Sequence, residues 1–330
     1  MKKSKIVILT TRFGGPYNWA NELKRFVEKN KIPLEIKIKS SFWSLLLSPF
    51  YVGDCDIVHS IQPIPFKLWK QPYVLNPRGD FTSEFSIRNP WSLLYPLAIK
   101  NADHVVVPSR YLKQKLKIKK CSIIHNCLDP TNYLFKKSYK LGKCLKISTV
   151  TSFAFKDKAE GILNIINILK CLKIDRNIIF SIYAGGTYSN YIKKEVEGMS
   201  VPKNIKIDFK GHVKNSHREL IRSDIFAYYS VHDNFPNSVL EAMACAMPII
   251  TNKFGAIKEM ISRGRDGYIA KKDKEYAFKL ESLCKIKTRE NLGKSAREKV
   301  KLKFTWETSI IKWHKLYKAQ IYLKKEKSPS

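Results

Sequence analysis

Asp233-Asn-Phe-Pro-Asn-Ser-Val-Leu-Glu-Ala-Met-Ala-Cys-Ala-Met-Pro-Ile-Ile-Thr251 is the stretch that decides the fold of this chain. It follows a short apolar run at 225–229 and passes through a polar turn into a helix-like segment that opens at Pro236 or Asn237. A second apolar run at 248–251 is typical of a buried parallel strand. Strand, helix and strand in this order predict a βαβ unit, with the helix N-terminus at the carboxyl end of the first strand.

The same alternation of apolar strands and helical stretches runs through the whole chain. Because 330 residues exceed the size of one typical core, two domains are expected, each a doubly wound, mostly parallel α/β sheet. The polar, lysine-rich stretch 129–145 is interpreted as the linker between them. We therefore predict a first domain at 1–140, a second at 141–307, and a C-terminal helix at about 308–325 that packs back on the first. The predicted strands are 5–10, 34–38, 56–60, 73–76, 104–109, 123–125, 144–151, 178–184, 205–209, 225–229, 248–251 and 268–270.

The composition predicts a folded protein with no membrane span. Hydrophobic residues make up 44% of the chain, and no window offers the roughly 18 uninterrupted apolar residues that a span needs. The start, Met-Lys-Lys-Ser-Lys, runs directly into a short strand and does not resemble a secretion signal. Seven scattered cysteines without a C-x-x-C pair favour a reduced cytoplasmic location.

The net charge of +33 is the second global feature. Such an excess attracts phosphate-bearing partners, of which nucleic acid and anionic membranes are the usual two. Basic residues are spread along the chain without zinc-ligand spacing or an RNA-binding aromatic signature, so nucleic acid is not the expected partner. A general lysine bias in composition would also account for part of the excess.

The N-terminus of the helix in 233–251 is the predicted chemical site. Free N–H groups and the positive end of the helix dipole suit a diphosphate without a metal ion. Pro236 fits a first helical turn, and Asn237 or Ser238 is expected to cap it, leaving the amides of Ser238 and Val239 near the phosphates. Glu241, about one turn further, can accept hydrogen bonds from ribose hydroxyls.

The string Phe-Pro-Asn-x-x-Leu-Glu-Ala-Met-Ala-Cys-x-x-Pro at 235–248 resembles the signature of the family 4, or group 1, glycosyltransferases. Segments 255–259 and 264–268 continue the match, so about forty residues follow the family pattern in order. The resemblance implies the GT-B fold, in which two Rossmann-like doubly wound domains face each other across a cleft. It also implies transfer of a sugar from a nucleotide-sugar donor to an acceptor, independent of metal and with retained anomeric configuration.

The resemblance assigns roles to individual residues. Asp233 stands where the family usually has Glu, and contacts the transferred sugar; Glu241 holds the ribose. The family's Arg is absent, so Lys158 is expected to offset charge on the leaving diphosphate, with Lys156 as its competitor. The catalytic candidates are therefore Asp233, Glu241 and Lys158. The implied donor-binding residues are Gly14, Gly15, Lys156, Gly185, Gly186, Gly211, His212, Phe235, Pro236, Asn237, Ser238, Val239 and Glu241.

Acceptor-side candidates come from the first half of the chain. His59 lies in the predicted strand 56–60, and Arg78 stands where many relatives carry a His before the Gly. An Arg cannot act as a base, so Arg78 either binds an anionic group of a substrate or forms a structural ion pair. Phe42, Trp43 and Trp91 lie in apolar stretches that predict either contact with an anionic membrane or ordinary packing in the first domain.

Taken together, these features predict a glycosyltransferase that uses no cofactor and no metal. Its expected acceptor is a saccharide or a lipid-linked saccharide in cell-surface polysaccharide or lipopolysaccharide synthesis, and its expected location is the cytoplasm, with peripheral contact at the inner face of the membrane. The alternatives are a phosphorylase or nucleotide-sugar epimerase on the same fold, a metal-dependent GT-A transferase using the Asp-x-Asp string at 54–56, and a basic nucleic-acid-binding protein.

Overall fold

The strands of the chain build two separate sheets, each with six parallel strands. The computed structural model describes residues 3–12, 14–80 and 93–326. The chain divides into a first unit, 1–126 with 306–330, and a second unit, 127–305. This confirms the predicted α/β class with two doubly wound sheets.

The first sheet has the strand order β2-β1-β3-β4-β5-β6. The strand that follows β1 in the chain lies on one side of it, and β3 and all later strands lie on the other side. The loops after β1 and β3 therefore diverge at the carboxyl edge. Val7, Leu9, Val58 and Leu75 belong to its buried core. The strands are β1 (Ser4–Leu9), β2 (Leu34–Lys39), β3 (Ile57–Ser60), β4 (Tyr73–Leu75), β5 (His104–Val107) and β6 (Ser122–Ile123).

Helices α1 and α12 cover the first sheet with aromatic side chains. On α1, Trp19 and Phe26 are buried, and on α12, Trp306 and Trp313 are buried. Trp19 lies 6.0 Å from Trp306 and 5.5 Å from Trp313, measured between ring centroids. The C-terminal helix thus belongs to the first unit. Its helices are α1 (Gly15–Lys29), α2 (Phe42–Leu46), α3 (Tyr95–Asn101), α4 (Arg110–Lys115) and α12 (Trp306–Glu326).

The second sheet has the order β12-β11-β10-β7-β8-β9, the dinucleotide-binding arrangement with its switch point between β7 and β10. Its core is rich in isoleucine, including Ile147, Ile178 and Ile225. The strands are β7 (Cys144–Val150), β8 (Asn177–Tyr183), β9 (Ile205–Phe209), β10 (Ile225–Tyr228), β11 (Ile249–Asn252) and β12 (Tyr268–Ala270). The helices are α5 (Lys156–Lys170), α6 (Ser189–Glu197), α7 (Ser216–Leu220), α8 (Asn237–Ala244), α9 (Ile257–Met260), α10 (Asp273–Ser282) and α11 (Ile286–Lys303).

The division between the units lies at 126/127, whereas the sequence places it at 140/141. Residues that look like a linker are tied to the second unit: the backbone N–H of Lys136 donates to the Cys245 carbonyl over 2.9 Å, and the Tyr139 hydroxyl donates to the Ala246 carbonyl over 2.8 Å. These contacts could not be predicted from the polar, lysine-rich composition, because the acceptors are main-chain carbonyl groups of the second unit.

Within the described part of the chain, no helix has the length and apolarity that crossing a membrane requires.

Candidate active site

The switch point of the second sheet brings together two of the predicted catalytic residues. Lys158 lies in the first turn of α5, after β7, and Asp233 lies in the loop after β10. Their strands are neighbours, and the Lys158 ammonium nitrogen lies 2.8 Å from Asp233 Oδ2. In a sheet of this topology, the divergence of these loops is where ligands bind.

Two further groups hold the Asp233 carboxylate, whose side chain is 11% exposed. The Tyr228 hydroxyl donates to Oδ2 over 2.6 Å, and the backbone N–H of Asn234 donates to Oδ1 over 2.9 Å. The Asp233 backbone N–H in turn donates to the Ser230 hydroxyl. Hydrogen bonds therefore fix both carboxylate oxygens of Asp233, and Asp233 in turn fixes the Lys158 ammonium.

The electrostatics of this cluster keep Asp233 ionised. Burial raises the pKa of Asp233, but the charge of Lys158 and the hydrogen bonds from Lys158, Tyr228 and Asn234 outweigh it, so that the pKa lies below its usual value. Burial and the negative charge of Asp233 raise the pKa of Tyr228 well above its usual range. At neutral pH the cluster thus contains an ammonium, a carboxylate and a neutral phenol.

Helix α8 starts directly behind this cluster, but its capping differs from the prediction. The N-cap residue is Pro236, in an extended conformation, and among the described residues no side chain accepts a hydrogen bond at that cap. The prediction that Asn237 or Ser238 caps the helix was wrong, because both residues lie inside its first turn. A proline has no side-chain acceptor, so the cap residue itself does not satisfy the first-turn N–H groups at the positive end of the helix.

Glu241 lies one turn into α8 and does not contact Asp233. Its Oε2 accepts a hydrogen bond from the Ser216 hydroxyl over 2.9 Å, at the start of α7. The side chain is only half-buried. An ionised carboxylate has about four lone-pair acceptor sites, so hydroxyl donors can share it with Ser216.

The predicted glycine loops lie together beside the strand ends. An added Cβ on Gly185 would meet the His212 Cβ at 3.1 Å, so these two residues pack directly on each other. Gly186 has φ of +143°, and a Cβ there would lie 2.3 Å from the carbonyl carbon of Phe153. Gly211 has φ of +72° with open space around it. Only glycine fits at 186, because it lets the loop after β8 touch the loop after β7.

Two more glycines, which the sequence did not single out as site residues, hold the Asp233 loop in place. A Cβ on Gly255 would lie 2.0 Å from the Asp233 carbonyl oxygen, and one on Gly161 would lie 2.3 Å from the Tyr229 carbonyl oxygen. The loop after β10 is thus clamped between α5 and the loop after β11.

Three of the predicted donor-binding residues use their side chains in packing or in an ion pair. Phe235 is buried with its ring 5.7 Å from that of Phe304, and Val239 is fully buried. Only their main-chain groups can face a ligand. Lys156 is exposed and pairs with Glu160 at 3.5 Å on its own helix, so the competition between the two lysines favours Lys158.

In the first unit, Gly14 and Gly15 lie where the loop after β1 enters α1. Gly14 is the N-cap residue of α1, with φ of +87°, and a Cβ on Gly15 would meet open space. Among the described residues, no side chain caps α1 either. The two glycines therefore expose a second helix N-terminus at the carboxyl edge of a parallel sheet.

His59 lies in the interior, which disagrees with a role in contacting the acceptor. It is fully buried, its ring stacks 4.7 Å from that of Trp313, and its Nδ1 lies 2.7 Å from the Tyr317 hydroxyl. Burial and the nearby charge of Arg78 lower its pKa to about 3. His59 is thus neutral at physiological pH and supports the packing of α12 on β3.

Arg78, the second acceptor-side candidate, forms local contacts. Its guanidinium lies over the Trp19 ring at 4.7 Å, and its Nη2 donates to Asn126 Oδ1 over 2.5 Å. The side chain is only half-buried, at the carboxyl end of β4. The stacked guanidinium is compatible both with binding an anionic group of a substrate and with a structural ion pair.

The Asp-x-Asp string at 54–56 lies at the opposite edge of the first sheet, before β3. Asp54 pairs with the Lys5 ammonium, and Asp56 Oδ2 accepts a hydrogen bond from the Lys5 backbone N–H over 2.7 Å. Among the described residues, no group of three or more His, Cys, Asp or Glu side chains could hold a metal ion. The string thus serves to fix β1 to β3 and lies away from the switch point.

Sequence reasoning missed Tyr228 and Ser216, the direct partners of Asp233 and Glu241. A tyrosine that ends an otherwise apolar strand, five residues before a loop aspartate, was the available signal for Tyr228. Ser216 carried none, because its contact with Glu241 joins two helices that are separate in sequence.

Comparison with known proteins finds a family model that matches most of the second unit. Residues 142–299 match the family model described as glycosyl transferases group 1. Trehalose synthase of Thermococcus litoralis is 23% identical over 90% of this chain and 76% of its own. The N-acetylgalactosamine-N,N'-diacetylbacillosaminyl-diphospho-undecaprenol 4-alpha-N-acetylgalactosaminyltransferase of Campylobacter jejuni is 24% identical over 69% of this chain and 60% of its own.

The solved structures confirm the fold. Anabaena Alr3699/HepE, solved in complex with UDP and glucose, superposes with a TM-score of 0.70, covering 96% of this chain and all of its own at 15% identity. This likeness spans both units and establishes the GT-B fold.

Proposed function

Because residues 142–299 match the group 1 glycosyltransferase family model and the chain has the GT-B fold, we propose that it transfers a sugar from a nucleotide-sugar donor to a saccharide or lipid-linked saccharide. The observation that carries this proposal is the Lys158–Asp233 pair beside the N-terminus of α8. One fixed cation and one uncapped helix end converge at the switch point, where a diphosphate is expected.

In the proposed reaction, the bond between the sugar's anomeric carbon and the diphosphate oxygen breaks while the acceptor hydroxyl bonds to the same carbon. The electron pair stays on the departing diphosphate, which also takes the acceptor's proton. Amides of the first turn of α8 and the Lys158 ammonium stabilise the charge that develops there. Since Lys158 is 29% exposed, its ammonium can contact a phosphate without leaving the cluster.

The other site residues have binding roles in this proposal. Glu241 accepts hydrogen bonds from the ribose hydroxyls, with Ser216 holding its second position. The main chain around Gly186 and Gly211 borders the nucleoside. Asp233 positions Lys158, and its remaining acceptor capacity faces the sugar.

For the acceptor, we propose a saccharide, with a lipid-linked saccharide as the preferred form. The undecaprenol-linked acceptor in the name of the Campylobacter relative supports this preference, while the trehalose synthase relative supports a free sugar. A lipid-linked acceptor would place the chain in cell-surface polysaccharide or lipopolysaccharide synthesis. We propose further that the transfer retains the anomeric configuration and needs no metal ion.

The first experiment is a thermal-shift panel with UDP, GDP, ADP and their common sugars, in EDTA. One nucleotide is expected to raise the melting temperature of the wild type, and Glu241→Ala should abolish that increase. Glu290→Ala is the matched control, because Glu290 pairs with Lys294 on the surface of α11. A panel with no shift, or an equal shift in both variants, would contradict the proposed donor site.

The second experiment follows the product. With the identified nucleotide sugar and a panel of free and lipid-linked acceptors, NMR of the new anomeric centre should show the donor's configuration. Activity that persists in EDTA supports the metal-free mechanism, whereas activity that returns only with Mg²⁺ or Mn²⁺ contradicts it. Sugar phosphate formed from inorganic phosphate would instead identify a phosphorylase.

A further inference from the structure

The first unit carries a patch of exposed apolar side chains around α2. Phe42, Trp43, Leu47 and Phe50 come from the α2 segment, and Phe66 and Leu68 from the loop after β3; we refer to these six as the α2 patch. Their exposed fractions range from 46% for Phe66 to 70% for Leu68. Exposed aromatic and aliphatic side chains in such number are unusual on a surface that contacts only water.

The patch is contiguous. The Phe50 and Phe66 rings meet edge to face at 5.7 Å, and the Leu68 backbone N–H donates to the Pro49 carbonyl over 2.8 Å. The Phe42 and Trp43 rings meet at 5.6 Å. Two chain segments thus form one apolar surface.

The patch is also held rigidly, so its exposure does not come from a loose segment. Ser41 caps α2 by accepting a hydrogen bond from the Ser44 backbone N–H over 3.1 Å. The Trp69 indole N–H donates to the Ser48 carbonyl over 2.7 Å, and Leu45 and Trp69 pack against the core. Only Leu45 of this helix turns inward, and no residue of α2 is buried.

The charges around the patch indicate its partner. Segment 36–79, which carries the patch, contains four lysines and one arginine against two aspartates, Asp54 and Asp56. Lys39 lies over the Tyr51 ring, 5.3 Å from its centroid, and Lys70 is exposed. With a net charge of +33, two copies of this chain repel each other, whereas an anionic surface attracts it.

We propose that the α2 patch docks on an anionic lipid bilayer, with the aromatic side chains entering the headgroup region and the lysines contacting lipid phosphates. Aromatic rings are suited to the interface, and each nearby basic residue adds electrostatic attraction. Phe66 and Leu68 lie near the amino edge of the sheet, because Lys67 between them pairs with Asp103, which directly precedes β5. Docking would hold the first unit at the lipid surface, and its benefit for a lipid-linked acceptor rests on the proposed function.

The test is co-sedimentation of the full chain with phosphatidylcholine vesicles, with and without phosphatidylglycerol. Binding is expected only with phosphatidylglycerol, and it should weaken strongly in 1 M salt, where the Debye length is about 3 Å. The double variant Trp43→Ser/Phe50→Ser should lower the partition coefficient by about tenfold or more. Phe278→Ser is the matched control, because Phe278 is equally exposed, at 65%, on the second unit.

Fluorescence locates the contact. Of the tryptophans that the structure describes, only Trp43 is exposed, so brominated lipid should quench the wild type but not the Trp43→Phe variant, which still binds. Absence of co-sedimentation at low salt overturns the proposal. So does binding that Trp43→Ser/Phe50→Ser leaves intact, or a concentration-dependent dimer that this variant abolishes.

The two proposals fail separately. Trp43→Ser/Phe50→Ser should keep its melting temperature and its nucleotide-induced shift, because both side chains point into solvent. Vesicle binding without any nucleotide shift would leave the patch supported and the donor site refuted, and the reverse result would refute only the patch.

Discussion

Lys158 and Asp233 illustrate at the scale of single residues how one ion pair can serve both stability and chemistry. The carboxylate is nine-tenths buried, and its charge persists because Lys158, Tyr228 and Asn234 all donate to it. A buried charge with one partner removed costs more than the pair contributes. Substituting either residue alone therefore changes stability along with any catalytic role.

We predict that Lys158→Met lowers kcat by about 100- to 1,000-fold, the effect typical of a lost charge at a developing oxyanion. It should also destabilise the protein by about 1.5–3 kcal/mol, because Asp233 loses a charged donor. Lys156→Met, two residues earlier, should change kcat by less than about threefold, because Lys156 is exposed and pairs with Glu160 on the helix surface. Initial-rate kinetics and urea unfolding measure both effects.

The double variant Lys158→Met/Asp233→Asn separates stability from catalysis. A neutral amide at 233 needs no cation, so stability should return toward the wild type while kcat stays low. Recovery of kcat together with stability would show that Lys158 acts only through folding.

His59 gives a second prediction, on pH. Its pKa is about 3 in the folded protein and about 6.5 when unfolded, so the unfolded state takes up a proton first as the pH falls. Stability should therefore decline below pH 6.5, by up to about 1.4 kcal/mol per pH unit, until the folded-state pKa is reached. His59→Phe should flatten this part of the curve of unfolding free energy against pH.

Tyr317→Phe is the control for that experiment. It removes the hydroxyl that lies 2.7 Å from His59 Nδ1 but leaves the imidazole buried. The pH dependence should persist in this variant. An unchanged slope in His59→Phe would mean that other groups cause the acid destabilisation.

At the scale of elements, the sequence predicted what periodicity and local motifs control. The βαβ unit at 225–252 was evident because apolar strands flank a helix whose N-terminal end has a recognisable string. The cap of α8 was predicted wrongly, because choosing between Pro236 and Asn237 depends on the backbone angles of one residue. The surroundings of His59 and Phe235 were also out of reach, since packing partners distant in sequence determine them.

At Gly186, the loop after β8 closely approaches the loop after β7. An alanine there would place its Cβ 2.3 Å from the Phe153 carbonyl carbon at φ of +143°, so the loops after β7 and β8 must separate. We expect Gly186→Ala to cost about 1–3 kcal/mol of unfolding free energy and to weaken nucleotide binding. Gly142→Ala is the control: nothing lies within 4 Å of its added Cβ, and stability should stay equal or rise slightly.

Thermal unfolding and nucleotide titration of both glycine variants decide the matter. If Gly186→Ala matched Gly142→Ala in both measurements, the close approach of the two loops would have no part in building the donor site.

At the scale of the whole molecule, two sheets of different strand order share one chain, and the C-terminal helix returns to the first. The return could be predicted in outline because the aromatic side chains of 304–322 need a covering surface. The side chains that Trp313 packs against, Trp19 and His59, could not be predicted, because they lie far from Trp313 in the sequence. The unit boundary also escaped prediction, since main-chain acceptors hold 127–140 to the second unit.

The charge of +33 has a consequence that belongs to the molecule as a whole. Like charges spread over a folded surface repel each other more than in the expanded chain, so the excess lowers stability when screening is weak. We predict that the melting temperature rises as NaCl increases from about 0.01 M to 0.15 M, where the Debye length falls from about 30 Å to 8 Å. Choline chloride at the same ionic strength should give the same curve, because screening depends on charge concentration and not on the identity of the cation. A flat or falling melting temperature would mean that local ion pairs such as Lys158–Asp233, which salt weakens, outweigh the general repulsion.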